Sequence, residues 1–163
     1  MTLKDKVLSA INQQINEEIY SSYLYLSMSA YFESINLRGF AHWMRVQSRE
    51  ETAHAMRFFD YIVEAGGTVA LKPIAGPKTK WDSPLQVFEE SCGHEAKITK
   101  LIYDLVGLSM EEKDYATNQM LQWFVAEQVE EEANPREILE KLKMIGSSNS
   151  GLLYLDKELK KRE

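Results

Sequence analysis

The sequence predicts an all-α fold, a four-helix bundle with a long crossover between helices two and three and a short fifth helix at the C-terminal end. First, only four prolines and eight glycines occur among 163 residues, and they cluster, so long segments remain uninterrupted. Second, apolar residues recur alternately three and four positions apart in four of these segments, which is the spacing of bundle helices. The length suits one domain, residues 1–163, with a core that needs no disulfides.

Capping and breaking residues place the helix boundaries. We expect helices over about 3–33, 37–65, 84–110, 114–145 and 151–160. Thr2, Asn36 and Ser83 have side chains that cap helix N-termini, and Ser83 precedes a proline, which is typical of a helix start. The fourth helix should start near Asp114. Gly66 should end the second helix, because glycine readily adopts the left-handed conformation found after helix ends.

The connections predict which helices are neighbours. Short turns near residues 35 and 112 make helices one and two, and helices three and four, antiparallel pairs. The linker over 66–81 can stretch to roughly 50 Å, enough to cross the length of a helix, so it is the predicted crossover. In the fifth helix, Leu152, Leu155 and Leu159 form an apolar stripe that must dock on its own bundle or on another subunit. We take this stripe and the apolar segment 69–71 as signs of assembly.

The inward-facing seam of each long helix is apolar at both ends and polar in the middle. The middle of the four seams is occupied by Glu18, Glu51, Glu95 and Glu131. Counting from the two short turns puts the two acids of each hairpin at the same level to within about 3 Å. The sequence therefore predicts carboxylates from four helices at the centre of the bundle.

Buried carboxylates at this density need compensation, because burying one ionised carboxylate costs several kcal/mol. No lysine or arginine falls on a seam at that level, which leaves protonation or a bound cation. Two divalent metals would balance about four negative charges. Glu51 and His54 are three residues apart and face inward together. One imidazole with several carboxylates suits iron or manganese better than zinc or calcium, and iron is the leading prediction.

Charge and composition exclude other classes of function. The net charge of −6 argues against binding nucleic acid, because no basic face exists outside the short stretch 157–162. The longest uncharged stretch, 19–32, has 14 residues including four serines, too short and too polar to cross a membrane. The chain starts without an apolar leader, and Cys92 is its single cysteine, so we expect a cytoplasmic protein without an internal disulfide.

Three segments of the chain resemble the prokaryotic ferritins. They are NEEIYSSYLY at 16–25, EETAH at 50–54 and QWFVAEQVEEE at 122–132. The resemblance covers nearly the whole chain and implies a ferritin-like bundle. It also implies iron storage with ferroxidase activity, in which Fe(II) is oxidised by dioxygen or peroxide at a di-iron centre. Ferric mineral would then collect inside a homo-oligomeric shell of 24 subunits.

The resemblance assigns residues to three iron sites. These are Glu18, Glu51 and His54; Glu51 as a bridge with Glu95, Glu131 and Gln128; and a looser third site of Glu50, Glu127 and Glu130. Tyr25 is similar to the tyrosine beside the di-iron centre and is expected to take part in catalysis, and Trp123 stands where the family often has a tryptophan. The chain departs from the general di-iron pattern in its fourth helix, which offers Gln128 and Glu131 without an imidazole.

Other readings of these residues remain open. Haem is not expected, because bacterioferritins usually carry a haem-ligating methionine at the position of Thr52. A di-iron oxidase or peroxidase of the rubrerythrin-like type would lack a storage cavity, although one cysteine cannot supply the four of a rubredoxin module. A structural four-helix module with merely protonated acids would bind no metal. His42 and His94 lie off the seams and are expected to be surface or interface histidines, although His94 directly precedes Glu95 and could reach the site.

Overall fold

The computed structural model describes residues 3–163, which form five α-helices. They are α1 (Asp5–Ser34), α2 (Arg38–Glu64), α3 (Pro84–Glu111), α4 (Tyr115–Ile145) and α5 (Asn149–Leu159). α1 packs chiefly on α2, α3 packs on α4, and α5 packs on α2 and α4. The predicted all-α bundle with a short fifth helix is confirmed. Within the described residues, no helix combines the length and apolar character that crossing a membrane requires.

Side-chain caps start three of the helices. Ser83 and Asp114 each accept a hydrogen bond from the backbone N–H three residues ahead. The cap at Ser83 and the helix start near Asp114 are as the sequence predicts. Ser148 accepts the equivalent hydrogen bond at α5, so this helix begins two residues before the predicted start. Thr2, the predicted cap of α1, lies outside the described residues.

The predicted cap of α2 is wrong. Asn36 lies in the preceding turn with a φ of 60°, a left-handed conformation that asparagine tolerates. Leu37 then precedes the helix and has no side chain able to cap it. Asp156 of α5 supplies the acceptor instead, because its Oδ1 lies 2.8 Å from the backbone nitrogen of Gly39 and 3.0 Å from that of Phe40. α5 therefore caps α2 through a contact between residues distant in sequence.

The segment between α2 and α3 is the long crossover, and it runs along α1. Gly66 ends α2 with a φ of 75°, as predicted. The Asn12 side chain then accepts a hydrogen bond from the N–H of Ala70 at 2.7 Å. Further on, the Ser27 hydroxyl donates to the carbonyl of Lys78 at 2.6 Å. Because these contacts advance along α1 in step with the chain, the crossover returns the chain to the opposite end of the bundle.

The core has two apolar halves with a polar layer between them. One half is built around Phe32, Phe40 and Phe88, and the other around Phe58 and Phe124. Along every long helix, the chain passes from one half to the other through one buried acid. These acids are Glu18, Glu51, Glu95 and Glu131. The predicted pattern of apolar ends and a polar middle is thus present in the folded chain.

The apolar stripe of α5 docks on its own bundle. Leu155 is buried, and Leu152 and Leu159 pack beside it against the same half of the core. The expectation that this stripe is spare surface for assembly is therefore wrong. The other side of α5 carries Leu153 and Tyr154, whose exposures of 61% and 68% leave them as its apolar surface.

The contact between α2 and α5 predicts a large effect of a small substitution. A Cβ atom at Gly39 would lie 1.6 Å from the backbone carbonyl oxygen of Asp156. Gly39→Ala should displace α5 and lower the free energy of unfolding by about 1–3 kcal/mol, the usual cost of overpacking. Denaturant unfolding measures the change.

Gly93→Ala is the matched control. A Cβ atom at this exposed α3 position meets nothing within 4 Å, so the variant should gain about 0.5–1 kcal/mol from helix propensity. Equal stability of Gly39→Ala and the parent would show that α5 does not dock on α2 as described.

Candidate metal centre

The four buried acids and one imidazole meet in the polar layer at the centre of the bundle. Three sets of side chains each bring potential ligand atoms within 4.8 Å of one another. The sets are Glu18, Glu51 and His54; Glu51, Glu95 and Glu131; and His54, Glu127 and Glu131. Because each set shares a residue with the next, they form one connected centre to which every long helix contributes.

The imidazole of His54 connects α2 to α4. Its Nδ1 lies 3.3 Å from Glu51 Oε2, one helical turn earlier. Its Nε2 lies 3.7 Å from Glu127 Oε1 and 3.9 Å from Glu131 Oε1. The ring also packs edge-on against Trp123, with 5.6 Å between ring centroids. This packing fixes the imidazole between Glu51 on one side and the two acids of α4 on the other.

Two buried glutamines donate hydrogen bonds to the acids. The amide of Gln14 donates to Glu18 Oε1 at 2.8 Å. The amide of Gln47 donates to Glu51 Oε1 at 3.1 Å and to Glu131 Oε2 at 2.5 Å. The sequence predicts no role for either glutamine. The available signal is their spacing, since each lies one helical turn before a predicted ligand on its own helix.

Glu95 lies among polar partners from α1 and α4. The Tyr25 hydroxyl donates a hydrogen bond to Glu95 Oε1. The amide nitrogen of Gln128 lies 3.4 Å from Glu95 Oε2 and 3.1 Å from the hydroxyl oxygen of Thr99. Tyr25 and Gln128 are both buried. The structure therefore brings both predicted residues to Glu95, and their roles in catalysis and metal binding stay predictions.

The residues of the predicted third site are not gathered in the same way. Glu127 lies beside His54, as described above. Glu50 instead pairs with Arg162, whose Nη2 lies 2.5 Å from Glu50 Oε2. Glu130 is exposed and belongs to none of the three sets found among residues 3–163. A third site at these residues stays a prediction, and Arg162 competes with a cation for Glu50.

Burial raises the pKa of the central acids. The pKa values of Glu18 and Glu51 lie well above the usual 4.5, first because of burial and then because of neighbouring negative charge. Burial likewise raises the pKa values of Glu95 and Glu131 to about 7. Within the described residues, His54 is the only basic side chain paired with any of these four acids. Without metal, protons therefore compensate part of the charge.

One atom of the centre lacks a hydrogen-bond partner. Oε2 of Glu18 is the single buried side-chain oxygen or nitrogen in residues 3–163 without one, although such atoms are normally paired. Glu18 belongs to the set with Glu51 and His54, so a cation held by these residues would give its carboxylate the missing partner. Carboxylates with one imidazole fit a divalent transition metal, since zinc sites usually take more nitrogen or sulfur and calcium takes oxygen alone.

The predicted surface or interface position of His94 is wrong. This histidine is buried between α1 and α3, with Nε2 at 2.7 Å from the Ser21 hydroxyl oxygen and the ring edge-on to Tyr25. Burial lowers its pKa to about 4, so the ring stays neutral at physiological pH. It follows Gly93 on a face of α3 that packs against α1, and it belongs to none of the three sets.

Comparison with known proteins gives full-length matches. The family profile described as ferritin-like domain matches residues 8–145. A bacterial non-heme ferritin of Bacteroides fragilis (strain 638R) is 45% identical over 160 residues, 98% of this chain and 99% of its own. A bacterial non-heme ferritin of Escherichia coli O6:H1 is 38% identical over 157 residues, which cover 96% of this chain and 95% of the relative. A solved open pore ferritin of the archaeon Archaeoglobus fulgidus is similar with a TM-score of 0.99 and 54% identity, covering 99% and 100%.

The raised pKa values predict how pH changes the stability of the metal-free protein. Between about pH 4.5 and 7, Glu95 and Glu131 hold protons in the folded chain that they lose on unfolding. Rising pH therefore favours the unfolded state, and each group lowers the free energy of unfolding by up to about 1.4 kcal/mol per pH unit. Denaturant unfolding with a chelator present, at pH 5 and at pH 7.5, measures the loss.

Glu95→Gln is the control for this pH dependence. Glutamine keeps the shape of the side chain but cannot ionise, so this variant should lose less stability than the parent between the two pH values. The same dependence in both proteins would mean that Glu95 does not carry the extra proton.

Proposed function

The chain belongs to the ferritin-like family, and we propose that it stores iron and acts as a ferroxidase, oxidising Fe(II) with dioxygen or peroxide. The observation that carries this proposal is the layer of four buried acids and one imidazole at the centre of the bundle. The named relatives are bacterial non-heme ferritins, and their similarity extends over nearly the full length of this chain. Iron is here the substrate as well as the cargo.

Two Fe(II) ions bind side by side in this proposal. Glu18, Glu51 and His54 hold the first ion. Glu95 and Glu131, with Glu51 as the shared carboxylate, hold the second. Sharing one carboxylate keeps the two ions close, and together they supply the two electrons that reduce dioxygen to peroxide or peroxide to water. A bridge at Glu51 is supported because this residue belongs to the set with Glu18 and His54 and also to the set with Glu95 and Glu131.

The amide of Gln128 lies beside Glu95, one of the acids proposed to hold the second ion, and completes the ligand set predicted for that ion. This set contains oxygen donors alone, whereas the first includes the imidazole of His54. Oxygen donors hold ferrous iron less firmly than a set with imidazole. We therefore infer that iron passes through the second site more readily than through the first.

The protein's own groups prepare the centre for this chemistry. Burial of the acids keeps bulk water away, and their raised pKa values mean that protons leave as Fe(II) arrives. Burial and the charge of Glu95 raise the pKa of Tyr25 well above its usual value. The phenol therefore keeps its proton and can hold Glu95 in place through its hydrogen bond.

Stored iron needs a place outside the catalytic centre. We assign Glu50, Glu127 and Glu130 to a third iron site on the side of the centre facing α4, and mineral to the interior of a 24-subunit homo-oligomeric shell. Exposed apolar side chains support assembly, since Tyr115 and Tyr154 are 78% and 68% exposed. We place this shell in the cytoplasm, where a lone Cys92 thiol stays reduced.

Iron loading tests storage against the alternatives. After aerobic addition of Fe(II), size-exclusion chromatography should show a particle of about 450 kDa, as 24 chains of 18.8 kDa require. Elemental analysis should find far more iron than two or three ions per chain. A monomer or dimer that holds two ions would favour a rubrerythrin-like oxidase, and absence of metal uptake would favour a structural module with protonated acids.

Glu51→Ala is the variant that tests the catalytic centre within the same experiment. It should slow Fe(II) oxidation at least roughly 100-fold, because losing an outer hydrogen-bonding partner alone costs about 10- to 100-fold in metal affinity or activity. The assembly should persist, and the metal-free protein should be equally or slightly more stable, since the substitution relieves the repulsion of Glu51 with Glu95 and Glu131. Unchanged oxidation rates would refute the bridging role.

A further inference from the structure

The segment after α5 returns to the metal centre through Arg162. Its guanidinium carbon lies 4.3 Å from the centroid of the Trp43 ring, and its Nη1 donates to the Trp43 carbonyl at 3.3 Å. Its Nη2 donates to Gln47 Oε1 at 2.9 Å and to Glu50 Oε2 at 2.5 Å. The backbone carbonyl of Arg162 also lies 2.7 Å from His42 Nε2. The side chain is only 17% exposed, so it is held firmly against α2.

Gln47 joins this arginine to the acids of the centre. Its amide group has one acceptor oxygen and one nitrogen that donates. Arg162 occupies the oxygen, and the nitrogen donates to Glu51 and to Glu131. The side chain is 1% exposed, so water cannot replace any of these partners.

We propose that Arg162 is a positioning residue of the metal centre: it fixes the orientation of the Gln47 amide, which then holds Glu51 and Glu131 ready for the second metal ion. The inference rests on the proposed function and concerns the same site. Neither Arg162 nor Gln47 touches the metal in this account. Both act through the two carboxylates.

The reason is the burial of the Gln47 amide. Without Arg162, the Gln47 oxygen would lose its donor in a site closed to water, and only the nitrogen would hold the amide in place. The amide would then move toward other donors, and its hydrogen bonds to Glu51 and Glu131 would weaken. An arginine suits this task, because its rigid fork donates to several acceptors at once and cannot accept in return.

The charge of Arg162 acts in the opposite direction. The positive charge of Arg162 repels metal cations at the nearby centre. Loss of this charge alone would therefore strengthen metal binding. Loss of the positioning contact would weaken binding at Glu51 and Glu131 by about 10-fold or more, as for other outer partners of metal ligands. A double-mutant cycle with Gln47 separates the two effects.

The experiment titrates the metal-free, full-length protein with Co(II) under anaerobic conditions, followed by visible absorption and calorimetry. Four proteins are compared: the parent, Arg162→Met, Gln47→Met and the double variant. Methionine keeps an aliphatic stem over Trp43 at the first position and has no amide to orient at the second. In the parent protein, Arg162→Met should lower the affinity for the second Co(II) ion by about 10-fold. In the Gln47→Met background, the same substitution should not lower this affinity.

Lys161→Ala is the matched control, because it removes a positive charge from the adjacent residue, whose partner is Glu158. It should leave the second Co(II) affinity unchanged. Thermal unfolding of all variants monitors docking of the segment after α5. A loss of thermal stability in Arg162→Met without a change in Co(II) affinity would overturn the proposal, because it would leave Arg162 only a structural role.

Two further results are decisive. The same change of affinity in both backgrounds would overturn the inference and leave the proposed function standing, since Arg162 would then act independently of Gln47. A parent protein that binds no Co(II) at all would overturn both the inference and the proposed function.

Discussion

The electrostatic cost of burying carboxylates at one depth is the constraint on which this structure depends. Four acids, one from each long helix, are almost completely withdrawn from water. Protons offset part of this cost in the metal-free chain, because burial raises the pKa values of Glu95 and Glu131 to about 7. Such a centre stays poised between protons and metal cations, which is the property that a site for transient binding of Fe(II) needs.

The rest of the fold serves to keep these acids level. The apolar halves above and below the polar layer hold the four helices together. The crossover along α1 lets α3 start at the end of the bundle where α2 also starts. Asp156 fixes α5 on the first turn of α2. This contact brings the following segment, with Arg162, within reach of Gln47. Docking of α5 and organisation of the centre are therefore structurally linked.

Much of this architecture could be predicted from the sequence, because seams and turns are local signals. The interruption of four seams at matching positions predicted that Glu18, Glu51, Glu95 and Glu131 would meet. Contacts between distant residues gave no such signal. The sequence offers Asn36 as the cap of α2, because the acceptor Asp156 lies more than a hundred residues away. It predicts a surface or interface position for His94, because this residue lies off its seam. The orientation of the Gln47 amide depends on Arg162, which no periodicity connects to α2.

The central claim is that cations replace protons among these acids. The most direct measurement is anomalous diffraction at the iron edge from crystals of the assembled protein soaked anaerobically in Fe(II). The account predicts two iron peaks in the polar layer, with Glu51 between them and His54 at one of the two. Iron bound only outside this layer, or a polar layer without iron at saturating Fe(II), would contradict it.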